Sequence, residues 1–283
     1  MNLSRRDFFG QLMAAGLLTA APGCGTFNLC GCSKPKIGVQ LYSVRELCKK
    51  DLPATLRELA RLGYTGVEYF EWGMKETPAQ LIALSKEVGI KGYGSHIGFD
   101  AIKPENLSKT FDKLNTLEIP GMCVPWLSFK TADEWKKAAD TFNAAAEKAK
   151  ARGLYIGYHN HQHEFKTKFD GVCAWQVFAD STTKDVVLEY DVGHVVAAGE
   201  DPVYWIKKYP GREKVLHAKE LYGPGASGIL GKPPARQKGV DWAGVFAATK
   251  GVTEYYIVEC ETNPASYVSV KGSIEFLKSQ GLA

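Results

Sequence analysis

No Cys-x-x-Cys pair occurs among the seven cysteines of this 283-residue chain, which argues against a structural zinc site. Cys24, Cys30 and Cys32 lie near the N-terminus, leaving Cys48, Cys123, Cys173 and Cys260 scattered through the body. Such spacing makes no disulfide framework, so buried thiols are expected. Past the N-terminus, no apolar run reaches the roughly 18 residues of a membrane-spanning helix. Charge of one sign is also scarce: 35 basic against 31 acidic residues leave +4, too little to recommend a nucleic-acid partner. The glycine-rich phosphate fingerprint that often follows the first strand of a doubly wound sheet is missing.

The first segment has its own character. Ser4-Arg5-Arg6-Asp7-Phe8-Phe9, then the apolar stretch from Leu12 to Ala21, reads as a twin-arginine export leader. An amphipathic helix is the alternative. Ala21-Pro22-Gly23-Cys24 resembles a lipoprotein box, which makes Cys24 a candidate lipid carrier. Residues 1–33 are therefore set aside as a leader, and 34–283 are expected to form one catalytic domain, exported to the periplasm.

Within 34–283, short strand-like runs alternate with helical ones. The strand candidates are Ile37–Tyr42, Gly66–Phe70, Lys91–Ile97, Met122–Pro125, Leu154–His161, Val186–Val192, Val215–Glu220 and Tyr255–Glu261. Between them, segments such as Pro53–Leu62, Pro78–Val88, Thr131–Ala151 and Pro202–Lys208 carry apolar residues at helical spacing. Eight such alternations in about 245 residues predict a (β/α)8 TIM barrel, with a doubly wound sheet as the alternative. The Gly- and Pro-rich stretch Leu221–Val240 shows little internal structure and is expected to overhang the catalytic mouth.

A barrel of this kind builds its site at the C-terminal ends of its strands. There the sequence is unusually polar: His159 and His161, Glu189 and Asp191, His217 and Lys219, Glu259 and Glu261, with His96 and Glu68 from earlier strands. Five of the six histidines sit on or near a strand end, and His194 follows closely. A lone histidine is ordinarily a hydrogen-bonded structural residue. Several imidazoles and carboxylates facing a packed interior, however, are costly unless paired. A divalent cation removes that cost, and a mixed His and carboxylate set suits Mn, Co, Zn or Fe rather than Mg or Ca.

These stretches resemble the sugar phosphate isomerase/epimerase group of the xylose isomerase-like TIM barrels. The resemblance rests on Gly63-Tyr64-Thr65-Gly66-Val67-Glu68, Tyr158-His159-Asn160-His161 with Glu164-Phe165, and Leu188-Glu189-Tyr190-Asp191-Val192-Gly193-His194. It continues through Gly199-Glu200-Asp201-Pro202, Leu216-His217-Ala218-Lys219-Glu220, Gly239-Val240-Asp241-Trp242 and Val258-Glu259-Cys260-Glu261. It implies one divalent ion held by Asp191, His217 and Glu259, with His159 where the group has a glutamate. That departure prevents the group's two-glutamate proton transfer from being carried over intact.

On this reading His161 and Glu261 are the candidate proton carriers, with Glu164 a weaker one, and Lys219 stabilises an oxyanion or else pairs with Glu189 or Glu220. Glu68, His96, Glu164, His194 and Trp242 are candidate substrate contacts; Trp126 and Trp242 either stack on a sugar or pack in the core, and His163 is a rim residue. The expected function is isomerisation or epimerisation of a keto sugar through an enediolate. Elimination from a 3-keto-glycoside or inosose-like substrate is the alternative, and a non-catalytic sugar-binding protein a further one. Asp191-Val192-Gly193-His194 also matches the Asp-x-x-His of endonucleases with this fold, but their second Asp-x-His has no counterpart after strand seven.

Overall fold

In a computed structural model, the described residues are 35–70, 76–221, 227–235 and 237–282, within a compact unit Lys34–Ala283. The leader and Cys24, Cys30 and Cys32 lie outside them. The barrel strands are β1 (Lys36–Gln40), β2 (Gly66–Phe70), β3 (Lys91–His96), β4 (Gly121–Val124), β5 (Tyr155–His159), β6 (Val186–Asp191), β7 (Val215–Ala218) and β8 (Tyr255–Val258). They pair in sequence order and close β8 on β1, in parallel throughout, as a (β/α)8 barrel. Strands such as Tyr255-Tyr256-Ile257-Val258 are buried along their whole length, as a parallel sheet covered by helices requires.

The helices follow local rules. Thr77 and Thr131 open Pro78–Val88 and Ala132–Lys150 with capping boxes completed by Gln80 and Glu134. In Ala132–Lys150 the buried stripe Trp135, Ala138, Phe142, Ala145 and Ala149 faces the sheet. Gly63 and Gly89 end their helices at φ of 107° and 76°, a conformation that penalises any side chain. No described helix is long and apolar enough to cross a membrane. All four body cysteines are free, with Cys123, Cys173 and Cys260 buried.

Two expectations need correction. Several strands stop earlier than their sequence pattern suggests: β5 at His159, β7 at Ala218 and β8 at Val258. Pairing ends there, with His159 opposite Glu189 and Asp191 opposite His217. His161, Lys219, Glu259 and Glu261 therefore sit on the turns just above the barrel. The stretch after β7 is also better anchored than its composition implies. Glu220–Leu221 pairs antiparallel with Ser227–Gly228, and Leu230 is fully buried. The Glu220 carboxylate accepts from the Gly231 and Val240 N–H groups, both at 2.8 Å, and from Trp242 Nε1 at 2.7 Å.

Candidate metal centre

At the upper end of the lumen, β3, β5 and β7 bring His96, His159 and His217 into a triangle. Ring centroids stand 4.7 Å apart for His96 and His159, 5.0 Å for His96 and His217, and 4.5 Å for His159 and His217. Carboxylates and imidazoles then alternate. Glu259 Oε2 lies 2.7 Å from His217 Nδ1, and His217 Nε2 lies 2.6 Å from Glu68 Oε2. Glu68 Oε2 is 3.3 Å from His96 Nε2, which is 2.8 Å from Glu189 Oε2. Glu189 Oε2 is 3.4 Å from His159 Nδ1, and His159 Nε2 is 3.9 Å from Asp191 Oδ2. Glu68, Glu189, Asp191 and His217 are fully shielded from solvent.

One donor atom each from His159, Asp191, His217 and Glu259 falls within 4.8 Å of all the others, and so does one each from His96, His159, Glu189 and His217. Asp191 Oδ2, Glu189 Oε1, Glu68 Oε1 and His159 Nδ1 are buried without a hydrogen-bond partner. Orphaned oxygens of this kind cost free energy that a bound cation returns. Two imidazoles with two carboxylates form a donor set suited to Zn, Mn, Co or Fe. The residues fit a divalent ion.

Lys219 stands beside them, fully buried. Its ammonium lies 2.5 Å from Glu261 Oε1, 3.1 Å from His194 Nε2, 3.5 Å from Asp191 Oδ2 and 3.6 Å from Glu259 Oε1. Pairing with Glu189 or Glu220 is thus corrected, since Glu189 faces the imidazole triangle and Glu220 anchors the loop. Burial would weaken the Lys219 charge, but Glu259, Asp191 and Glu261 outweigh it and raise its pKa. Burial lowers His194 to about 3, with Lys219 adding to the shift. Burial and then the His194 and Lys219 charges push His161 well below the usual imidazole range. Burial would also lower His217, yet Glu189, Glu68 and Glu259 raise it strongly.

A cavity of about 440 Å³ opens above the triangle, lined by Gln40, Tyr42, Phe70, His96, Gly98, Pro125, Trp126, His159, His161, Glu259 and Glu261. Trp126 and Tyr42, 55% and 40% exposed, stand at its mouth. The candidate contacts divide here. His96 lines the cavity, and His194 packs behind His161 with the rings tilted at 42° and their centroids 4.5 Å apart. Glu68 is corrected: it is fully buried under His217 and absent from the lining. Glu164 is corrected too, because its carboxylate is turned inward, accepting from the Tyr158 hydroxyl at 2.5 Å and the His161 N–H at 2.8 Å. Trp242 packs in the core against Phe246 and Phe276, away from the cavity. His163 sits at the rim, its ring 4.2 Å from Trp126. The sequence reading gave Glu189 no role beyond pairing with Lys219, although it shares a strand face with Asp191, and none to Gln40, Tyr42 and Phe70. The latter are uncharged residues at strand ends or, for Tyr42, on the turn just after β1, and a search for charged groups passes over them.

Residues 56–280 match the sequence model described as the xylose isomerase-like TIM barrel. The chain belongs to that family. Inosose dehydratase 2 of Bacillus cereus is 36% identical over 92 residues, or 32% of this chain and 30% of that enzyme. The match thus spans less than a third of that relative's length. A solved sugar phosphate isomerase/epimerase from Parabacteroides distasonis ATCC 8503 is 25% identical, with a TM-score of 0.76 over 89% of this chain and 98% of that one. A solved IolI protein with a zinc atom shares the fold, with a TM-score of 0.63 at 15% identity over 87% and 96% of the two chains. A xylose isomerase-like barrel with such relatives supports an enzyme.

Proposed function

We propose that this family member is a metal-dependent isomerase or epimerase of a keto sugar or sugar derivative, working through an enediolate. The observation that carries the reading is the convergence of His159, Asp191, His217 and Glu259 beneath an open cavity, with Asp191 Oδ2 buried and without a hydrogen bond. An ion held there would polarise a substrate carbonyl and acidify the neighbouring C–H. The chain's own groups then move the proton. His161, kept neutral by burial, is the base on the β5 side of the cavity. Glu261, on the β8 side, is the second proton carrier, and Lys219 holds it in place. The described lining includes the carboxylates Glu259 and Glu261, which favours an uncharged saccharide over a phosphorylated one. A neutral substrate also agrees with export, the reading given to residues 1–33.

Elimination is the second reading, and the partial likeness to inosose dehydratases favours it. The same enolate would then expel a β-substituent instead of being reprotonated. Metal analysis of purified protein, with product NMR on 2-keto and 3-keto sugars in D₂O, separates the two. Deuterium at carbon with the skeleton retained marks epimerisation or isomerisation; released water or aglycone marks elimination. His217→Ala and Glu259→Ala should each lower turnover by at least ~10³-fold. Unchanged turnover in both variants defeats the metal mechanism.

A further inference from the structure

We infer that Glu68, His96 and Glu189 are positioning residues, a brace beneath the ion site that fixes which nitrogen His217 and His159 turn upward. The inference rests on the ion reading above. An imidazole has two nitrogens, and one that binds a metal through the first needs an acceptor for the proton on the second. His217 directs Nδ1 toward Glu259 at 2.7 Å and Nε2 toward Glu68 at 2.6 Å. His159 directs Nε2 toward Asp191 at 3.9 Å and Nδ1 toward Glu189 at 3.4 Å. Both ligand candidates thus show one nitrogen to the outer carboxylates and the other to an inner one.

His96 ties the two inner carboxylates together, 3.3 Å from Glu68 and 2.8 Å from Glu189. Gln40 Nε2 adds a 2.8 Å hydrogen bond that holds Glu68 from the side. Neither Glu68 nor Glu189 lines the cavity, so neither is placed to touch substrate. The atoms without a hydrogen bond follow from the same arrangement. His159 Nδ1 and Glu189 Oε1 make none, Glu189 Oε1 lying 3.5 Å from His217 Nε2, and ligation through Nε2 would put a proton on His159 Nδ1, facing Glu189. A second-layer carboxylate of this kind orients its histidine and strengthens it as a ligand.

The test uses the full chain with Zn²⁺ and Co²⁺ as probes. Glu68→Gln and Glu189→Gln preserve shape and remove the charge. Each should weaken Zn²⁺ binding by about 10–100-fold in chelator competition and change the visible spectrum of the Co²⁺ form, with Glu68→Asp recovering part of the loss. Nitrogen-15 NMR of the Zn²⁺-loaded wild type should show His217 protonated at Nε2 and His159 at Nδ1, a readout that does not depend on the variants folding. Wild-type affinity and spectrum in both Gln variants, or the opposite tautomers, overturn the brace while leaving the ion site standing. Two ions per wild-type chain overturn it as well, because the inner carboxylates would then be ligands. A wild type that binds neither metal overturns both the brace and the reading beneath it.

Discussion

His161 and Glu164 show how far a single residue can be read before its neighbours are known. The grouping of His159, Asp191, His217 and Glu259 was legible, because a barrel gathers the ends of its strands whatever the details of packing. What Glu164 does was not legible, since it depends on a four-residue helix turning the carboxylate inward toward Tyr158. Lys219 is a similar case: its partners come from different elements, Glu261 from the turn after β8 and His194 from the helix Val192–Ala197, and no sequence spacing announces them. Burial raises the Glu164 pKa to about 7, against an ordinary value of 4.5. A carboxyl with a raised folded pKa holds its proton more tightly when folded. Its contribution to stability is therefore full below pH 4.5 and lost as pH rises toward 7. Glu164→Gln should remove that decline, gaining up to ~3 kcal/mol relative to wild type across this window. Urea titrations at several pH values would measure it, and a difference that does not vary with pH would refute it.

At the scale of elements, strand order and the starts of Pro78–Val88 and Pro202–Lys208 were the easy part, since a first-turn proline acts locally, whereas the helix expected from Pro53 already begins at Arg45. Strand ends were harder. The alternation of His159 and His161 continues past the point where hydrogen bonding to β6 stops, so it suggested a strand two residues longer than the one formed. The stretch after β7 was misjudged for another reason: its described residues are held by the buried Glu220 carboxylate and by hydrogen bonds of Ser227 and Leu230 to Glu261, Thr262 and Ser273 rather than by its own glycines and prolines. Glu220→Ala would leave the Gly231 and Val240 N–H groups and Trp242 Nε1 without their acceptor. A loss of ~3 kcal/mol or more is expected, at roughly 1–3 kcal/mol for each group left buried and unpaired. Hydrogen exchange over residues 227–235 and 237–240 should quicken, while that of β5 and β6 stays slow. Equal acceleration throughout would show that the anchor is not local.

For the whole molecule, the barrel divides into an apolar lower half and a polar upper half. Below the imidazole triangle the lumen is packed by Tyr93, Cys123, Tyr155, Val187, Val215, Tyr255 and Ile257. Gly157 makes room for that packing, since a Cβ there would meet Cys123 Sγ at 2.6 Å and the Val187 carbonyl at 2.8 Å. Buried carboxylates above this core lower the stability of the metal-free protein. Zn²⁺ at a thousand times its dissociation constant should add ~4 kcal/mol, or a rise in Tm of about 8–16 °C. Differential scanning calorimetry with and without EDTA would show it, and an unmoved transition would count against resident metal.

Those lower tyrosines have a kinetic meaning as well. With the far end of the cylinder corked, newcomers and departing molecules share the doorway that the described residues leave between Tyr42 and Trp126. Accumulated product therefore blocks entry outright, and its inhibition of the forward reaction should be purely competitive.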